Sequence, residues 1–226
     1  MNSLIQHPGH LLASSDALEN LQSKHEASIL VFSDSHGDRT RVRRIMTDYG
    51  SHCDACIFCG DGIGDLCYTL TQLSQTQEGQ QMLPPVIGFV QGNGDPPLFP
   101  ASFEQAGTRQ DLTVPAAVCL KAAQHTLLAV HGHIQGAYYS TDSLRQEAKK
   151  HSADIVLYGH THMAKEEMTA PRTINPGSCS RPRGGMPPSI AVLNITAKNN
   201  SITTTFFKIS PDGGYTPFLP DCTPIW

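Results

Sequence analysis

The chain has little charge and little excess of either sign. Of its 226 residues only 16% are Asp, Glu, Lys or Arg, and the formal net charge is -4. A general nucleic-acid or membrane-surface binder needs a basic excess, so this balance argues against both. No apolar run approaches the roughly 20 residues of a spanning helix. Residues 1–27 lack the basic-then-apolar pattern of a secretory leader, which points to a cytoplasmic protein. A disulfide framework is not expected either, since the cysteines number seven, an odd count, and nothing suggests secretion. No internal repeat or interdomain linker breaks the chain. With 39% hydrophobic residues it is long enough for one globular domain with a sizeable core.

What is present begins with local pattern. Residues 1–27 are mixed and polar, carry one short helix over 15–24, and read as an N-terminal extension to a domain over 28–226. A strand is expected over 28–32, and a basic helix over 40–49 capped by Asp38 or Thr40. A second strand over 55–59 precedes a helix that Asp65 would cap, and a glutamine-rich loop runs to residue 81. A third strand covers 86–90. Pro96, Pro97 and Pro100 then argue for a long loop. A hairpin is expected over 116–130, a helix over 140–151, and a strand over 155–158. A second hairpin over 190–209 turns at Asn199 and Asn200, and the proline-rich tail lies on the surface. Cys53, Cys56 and Cys59 have a spacing that invites a metal, but no fourth thiolate is suitably placed. The segment reads better as a buried strand in which cysteine is a small hydrophobe.

The chemistry sits where these strands end. Five apolar runs close on Asp34-x-His36, Asp61, Asn93, His131 and His160-x-His162, and glycines adjoin them (Gly37, Gly60, Gly92, Gly132, Gly159). In open α/β sheets, ligands bind at the carboxyl ends of strands, so these residues should converge. In His160-Thr161-His162 the two imidazoles can face one space. A nitrogen-and-oxygen set without thiolate suits manganese, iron or zinc in a catalytic setting. Seven ligands are too many for one tetrahedral ion and fit two ions that share a carboxylate, the arrangement that serves phosphoryl transfer.

The ordered set resembles the calcineurin-like metallophosphoesterases, whose motifs are D-x-H, G-D, G-N-[HC]-[DE], H and G-H-x-H. This chain has Asp34-Ser35-His36, Gly60-Asp61, Gly92-Asn93-Gly94-Asp95, His131 and Gly159-His160-Thr161-His162, within a resemblance that spans about 28–209. Two further cues, His131-Gly132-His133 and Asn175-Pro176-Gly177-Ser178, are similar to the small bacterial and archaeal phosphodiesterase branch. The resemblance implies an α/β fold of two packed β-sheets flanked by helices, an αββα sandwich. It implies two divalent ions, manganese first with iron, nickel or zinc as alternatives. Asp34, His36 and His162 would hold one ion, Asn93, His131 and His160 the other, and Asp61 would bridge them. The implied activity is phosphodiester hydrolysis by in-line attack of a metal-bridging hydroxide on a small phosphate ester.

One position departs from the family pattern. Many members have histidine after the motif asparagine, where it serves the leaving group; here that residue is Gly94. The expected activity therefore favours acidic leaving groups, unless the substrate supplies a proton. His133 is the nearest substitute donor or phosphate contact, and Arg183 is a candidate phosphate grip. Asp95 and Asn175 are expected to hold loops. The alternative is a catalytically weak protein-binding scaffold, like the retromer subunit of the same fold. A homo-oligomer through the closing hairpin stays open.

Overall fold

The computed structural model describes residues 2–103, 109–197 and 201–220. In chain order the elements are α1 (Ser15–Ser23), β1 (Glu26–Phe32), α2 (Arg39–Tyr49), a 3-10 turn (Gly50–His52), β2 (Ala55–Phe58), α3 (Ile63–Ser74), α4 (Gln77–Gln81) and β3 (Val86–Phe89). There follow β4 (Leu98–Ser102), β5 (Arg109–Thr113), β6 (Ala117–Ala122), β7 (His125–Val130), α5 (Asp142–Lys150), β8 (Ile155–Leu157), β9 (Ala164–Glu167) and β10 (Arg172–Pro176). The chain closes with β11 (Ser189–Thr196), β12 (Ser201–Ile209) and β13 (Tyr215–Phe218).

A strand that is apolar at every position must be covered on both faces, and β1 shows how the layers arise. Leu30 and Phe32 point to an outer layer with Val42, Ile45 and Met46 of α2 and Leu66 and Leu70 of α3. Ile29 and Val31 point the other way, onto Leu127 and Ala129 of β7 and Ile155 and Leu157 of β8. The far face of β7 and β8 is covered in turn by Leu144 and Ala148 of α5. Helices therefore cover the outer faces of two sheets whose inner faces pack together. One sheet has the order β13-β12-β11-β1-β2-β3, the other β6-β7-β8-β10-β9, and β4 pairs with β5 in a separate ribbon. Each sheet contains a parallel run of three strands, β1-β2-β3 and β7-β8-β10. Their carboxyl ends meet at one edge of the sandwich.

The first residues are tied into this framework. Leu12 exchanges backbone hydrogen bonds with Ile87 at 2.8 and 3.0 Å, covering the open edge of β3. Asn2 donates to the carbonyls of Leu12, Pro84 and Pro85, and Leu4, Leu11, Leu12 and Leu21 are buried.

Several local expectations fail for identifiable reasons. The stretch after Pro97 is not a bare loop: Pro100 is accommodated in the two-stranded β4-β5 ribbon, where proline is tolerated. The glutamine-rich segment forms the short helix α4, capped by the Thr76 hydroxyl. The tail contributes β13 along β12 despite Pro217, again at a sheet edge. Asp65 does not cap α3; Gly62 occupies that position. The turn at Asn199 and Asn200 lies outside the described residues. The three clustered cysteines are divided between layers, Cys53 and Cys56 on the helix side and Cys59 between the sheets. Burial also pushes the Cys56 and Cys59 thiols well up, so they act as apolar packing.

Candidate metal centre

Each strand end delivers its residue through a tight turn. Asp34, His36, Asp61, His160 and His162 all have positive φ, between 44° and 67°, a region that costs a non-glycine residue on the order of 1 kcal/mol or more. Two of the flanking glycines are required by close approach. A Cβ on Gly92 would strike the Asp61 carboxylate and backbone nitrogen, and one on Gly159 would strike the Ser33 hydroxyl and lie 2.8 Å from Asp34 Oδ2.

The turns bring the expected side chains together. His162 Nε2 lies 3.3 Å from Asp34 Oδ1 and 3.0 Å from His36 Nε2. His36 Nε2 lies 3.9 Å from Asp34 Oδ1 and 3.8 Å from Asp61 Oδ2. His131 Nε2 lies 3.6 Å from Asp61 Oδ2, 4.0 Å from Asp34 Oδ1 and 3.2 Å from Asn93 Oδ1. Among the described residues two groups of potential ligand atoms fall within 4.8 Å of one another: Asp34, His36 and His162, and Asp34, Asp61 and His131. Asp34 is common to both, while Asp61 Oδ2 also faces a histidine of each. His160 stands further off, its ring centroid 5.1 Å from that of His131, and its backbone N–H donates to Asp34 Oδ2 at 3.1 Å.

The polarity of this cluster suits a cation. His131 Nδ1–H donates to the Cys59 carbonyl at 2.7 Å and His162 Nδ1–H to the Arg181 carbonyl at 2.5 Å. In the neutral rings those bonds leave Nε2 as a bare acceptor turned inward, the orientation a metal ligand needs. Opposite stand carboxylate and amide oxygens and, for His162, the Nε2 of His36. Asp34 Oδ1 is wholly buried and has no hydrogen-bond partner, an arrangement costly enough to need a counter-charge. The residues present fit divalent ions, since all offer nitrogen or oxygen and none a thiolate.

Titration follows from the same geometry. Burial opposes ionisation of Asp61, but the His131 ring and the Gly94 N–H outweigh it and hold the carboxyl at about 2. Burial likewise opposes charge on His131, yet the Asp61 and Asp34 carboxylates and the Cys59 carbonyl hold its pKa above the ordinary value. His36, His133 and His160 are lowered, mainly by burial.

Around the cluster a layer of side chains fixes the loops. Asp95 accepts four backbone N–H groups, from Asp61, Gly62, Ile63 and Gly92, at 2.7–3.0 Å. Asn175 donates to the Gly159 carbonyl and the Thr161 hydroxyl and accepts from the Gly177 N–H. Both hold loops, as expected. Asp65, Ser178 and Ser180 escape a sequence reading. Asp65 binds the Ser35 hydroxyl at 2.6 Å and the Gly37 N–H at 2.8 Å. Ser178 donates to the Asp34 carbonyl and Ser180 to that of Ser35. The only local signal for the serines is their place just after Asn175-Pro176-Gly177.

His133 sits beside the centre, 5.3 Å from His131 and 6.0 Å from His160 between ring centroids, and its Nδ1 is buried without a partner. Arg183 reaches the site through its backbone, donating to the His162 carbonyl at 3.1 Å; its side chain is exposed. Gly94 donates its N–H to Asp61 Oδ1 at 2.8 Å and offers no side chain.

Comparison with known proteins meets this geometry. A family model described as the calcineurin-like phosphoesterase superfamily domain matches residues 28–198. The chain belongs to that superfamily. It is 28% identical over 181 residues to a probable metallophosphoesterase, YsnB, of Bacillus subtilis, covering 80% of this chain and 90% of that one. Among solved structures, a predicted phosphoesterase of Streptococcus pneumoniae aligns with a TM-score of 0.60 at 24% identity, over 86% of this chain and 98% of the other. Vacuolar protein sorting 29 of Cryptosporidium parvum aligns with a TM-score of 0.61 at 17% identity, over 86% and 99%. These structures share the fold, two packed sheets flanked by helices. Family membership points to hydrolase activity, and the Asp/His groups are candidate metal ligands. Among the described residues no helix is long and apolar enough to cross a membrane.

Proposed function

We propose that the chain is a two-metal phosphodiesterase acting on a small phosphate ester. The observation that carries this reading is the buried, partnerless Asp34 Oδ1 with inward-facing imidazole nitrogens around it. Two divalent ions held by Asp34, His36, Asp61, Asn93, His131, His160 and His162 would activate water and neutralise charge on the phosphate oxygens. Manganese is the first candidate and iron, nickel or zinc the alternatives. Asp61 is assigned the bridging position.

The chain's own contribution is preorganisation. The carbonyls of Cys59 and Arg181 hold His131 and His162 in the tautomer that presents Nε2. Asp95 fixes the Asp61 turn, and the Gly94 N–H holds the Asp61 carboxylate from its far side. The Asn93 amide oxygen lies 3.2 Å from His131 Nε2 and borders the same space. His133, whose ring lies beside those of His131 and His160, is the donor assigned to a phosphate oxygen, and the exposed Arg183 is a second candidate contact. No side chain at Gly94 can protonate a departing alkoxide, a step ordinarily contributing a hundredfold to ten-thousandfold in rate. The reading therefore specifies acidic leaving groups or a proton from the substrate.

The scaffold reading has one observation in its favour, the missing side chain at Gly94, beside a fold shared with vacuolar protein sorting 29. Fold alone does not assign function. The test is hydrolysis of bis-para-nitrophenyl phosphate and the matching monoester by metal-stripped protein. Manganese is added back, and Asp61→Asn runs in parallel. Manganese-dependent diester cleavage that Asp61→Asn abolishes is the expected result. Folded protein with no turnover under any divalent metal transfers the weight to the scaffold reading.

A further inference from the structure

Of the free cysteines among the described residues, Cys53, Cys56, Cys59, Cys67 and Cys179 are buried and Cys119 is exposed. Cys119 lies on β6, an edge strand of its sheet. Alternation along β6 sends Val118, Leu120 and Ala122 between the sheets and leaves Cys119 and Lys121 on the outer face. There the thiol meets the end of α5, whose C-cap is His151. His151 Nδ1 stands 3.7 Å from Cys119 Sγ. On the far side of the same ring, Nε2 lies 3.4 Å from Glu147 Oε1, one turn back on the helix. Glu147 is kept ionised, since Lys150 and, less strongly, His151 hold its carboxyl below the usual value. A neutral ring that donates its Nε2–H to Glu147 presents Nδ1 to the thiol as an acceptor. Nucleophile, base and the group that orients the base therefore stand in sequence, the arrangement that activates a weak nucleophile.

This trio is separate from the metal centre: Cys119 pairs with Leu128, three residues before His131 and about 10 Å away along the strand. Cys119 also needs a base. Partial burial pushes its thiol up while Lys121 acts against that, so at neutral pH the sulfur is protonated and a poor nucleophile until the proton is taken. We propose that Cys119, His151 and Glu147 form a thiol-exchange site at which Cys119 is modified by a low-molecular-weight disulfide. His151 Nδ1 takes the Cys119 proton as Sγ attacks one sulfur of the reagent. The reagent's S–S bond breaks, a new S–S bond forms to Cys119, and the departing thiolate leaves with the proton held on Nδ1. Cys119 is oxidised and the released thiol is the reduced product, so no other oxidant takes part. A peroxide would instead leave a sulfenic acid, and among the described residues no second exposed thiol is present to resolve it. Glu147 acts through His151 and is a positioning residue.

The test gives glutathione disulfide to the full-length, manganese-loaded protein in a Cys222→Ser background, which removes the cysteine that lies outside the described residues. Adduct formation is followed by intact mass against time from about pH 6 to about pH 10, and the modified residue is located by peptide mapping. A single adduct on Cys119 is expected. At neutral pH it should form at least about tenfold faster than in His151→Ala, and the two rates should converge toward alkaline pH, where the thiolate forms unaided. Glu147→Leu should react nearly as slowly as His151→Ala. Glu147→Gln, which still accepts from Nε2–H, should recover most of the rate. No adduct, an adduct on another cysteine, a His151→Ala protein that reacts at the wild-type rate near neutrality, or a rate gap that persists at alkaline pH overturns the assignment.

Discussion

Replacing Asp34 by asparagine should change the stability of this protein in opposite directions with and without metal. In the metal-free chain one carboxylate oxygen, Oδ2, accepts the His160 N–H at 3.1 Å, while Oδ1 is buried with no donor in reach. Oδ1 instead faces the Nε2 atoms of His162 and His131 at 3.3 and 4.0 Å. An asparagine that keeps its oxygen on the His160 N–H turns its amide nitrogen toward those imidazoles, so an acceptor facing acceptors becomes a donor. An unsatisfied buried polar group costs about 1–3 kcal/mol, more when charged. Asp34→Asn should therefore stabilise the chelated protein by about 1–3 kcal/mol, on the order of 5 °C for a domain of this size. With manganese the order inverts. The wild type gains about 2.7 kcal/mol per site at a hundred times the dissociation constant, and the variant, short of a ligand shared by both groups, loses most of that gain. Urea denaturation of both proteins in chelator and in manganese reads the two differences directly. An Asp34→Asn protein that is less stable than wild type in chelator would refute the reasoning, because the carboxylate would then be satisfied without a cation.

Two further outcomes follow from the same site. The folded pKa of Asp61, about 2 against an ordinary 3.8, gives stability that is present above about pH 4 and lost as pH falls toward 2, at most about 2 kcal/mol. The folded pKa of His131 is raised, so its contribution is complete below 6.5 and lost as pH rises through the raised value. His36, His133 and His160, whose pKa values are lowered, act in the opposite sense and lose their contribution as pH falls below 6.5. Chelated protein should thus be most stable to urea near about pH 6.5 to 7, and stability still climbing well above neutrality would contradict the His131–Asp61 pairing. Gly94 has no positive φ, and a Cβ there would lie 3.3 Å from Asp61 Oδ1, tight but short of collision. Gly94→His should therefore fold, and it should accelerate diesters with poor leaving groups at least tenfold while changing para-nitrophenolate release little. An unchanged dependence of rate on leaving-group pKa would show that the missing acid is not what limits the wild type.

The ligand candidates were legible because strand, glycine and polar terminus lie within a few residues of one another, as in Leu157-Tyr158-Gly159-His160. Such a local pattern survives without knowledge of the fold. The layer that holds them was legible only in part: Asp95 and Asn175 read as loop anchors, but their partners, set by backbone groups distant in sequence, did not. Asp65 stands in the first turn of α3, where a carboxylate reads equally well as a cap, yet its partners are Ser35 and Gly37. Asp95 was readable as a loop anchor, but not that it gathers four N–H groups across the Asp61 and Gly92 turns. The β4-β5 ribbon and β13 were missed for a different reason: proline argues against helix but is silent about an edge strand.

These two layers are energetically linked. Five of the seven candidate ligand residues occupy the left-handed region, each at a cost of order 1 kcal/mol or more, and nothing in Asp, His or the flanking glycines offsets that cost locally. What holds the turns is the set of charged or amide acceptors and donors, Asp65 on the Asp34 turn, Asp95 on the Asp61 turn and Asn175 on the His160 turn. Each contributes hydrogen bonds of about 1.5–3 kcal/mol where a carboxylate is the acceptor, enough to exceed the strain it opposes. The site is therefore built in two steps: the strand ends supply the chemistry, and the distant carboxylates and amide force those residues into conformations that they would not adopt alone.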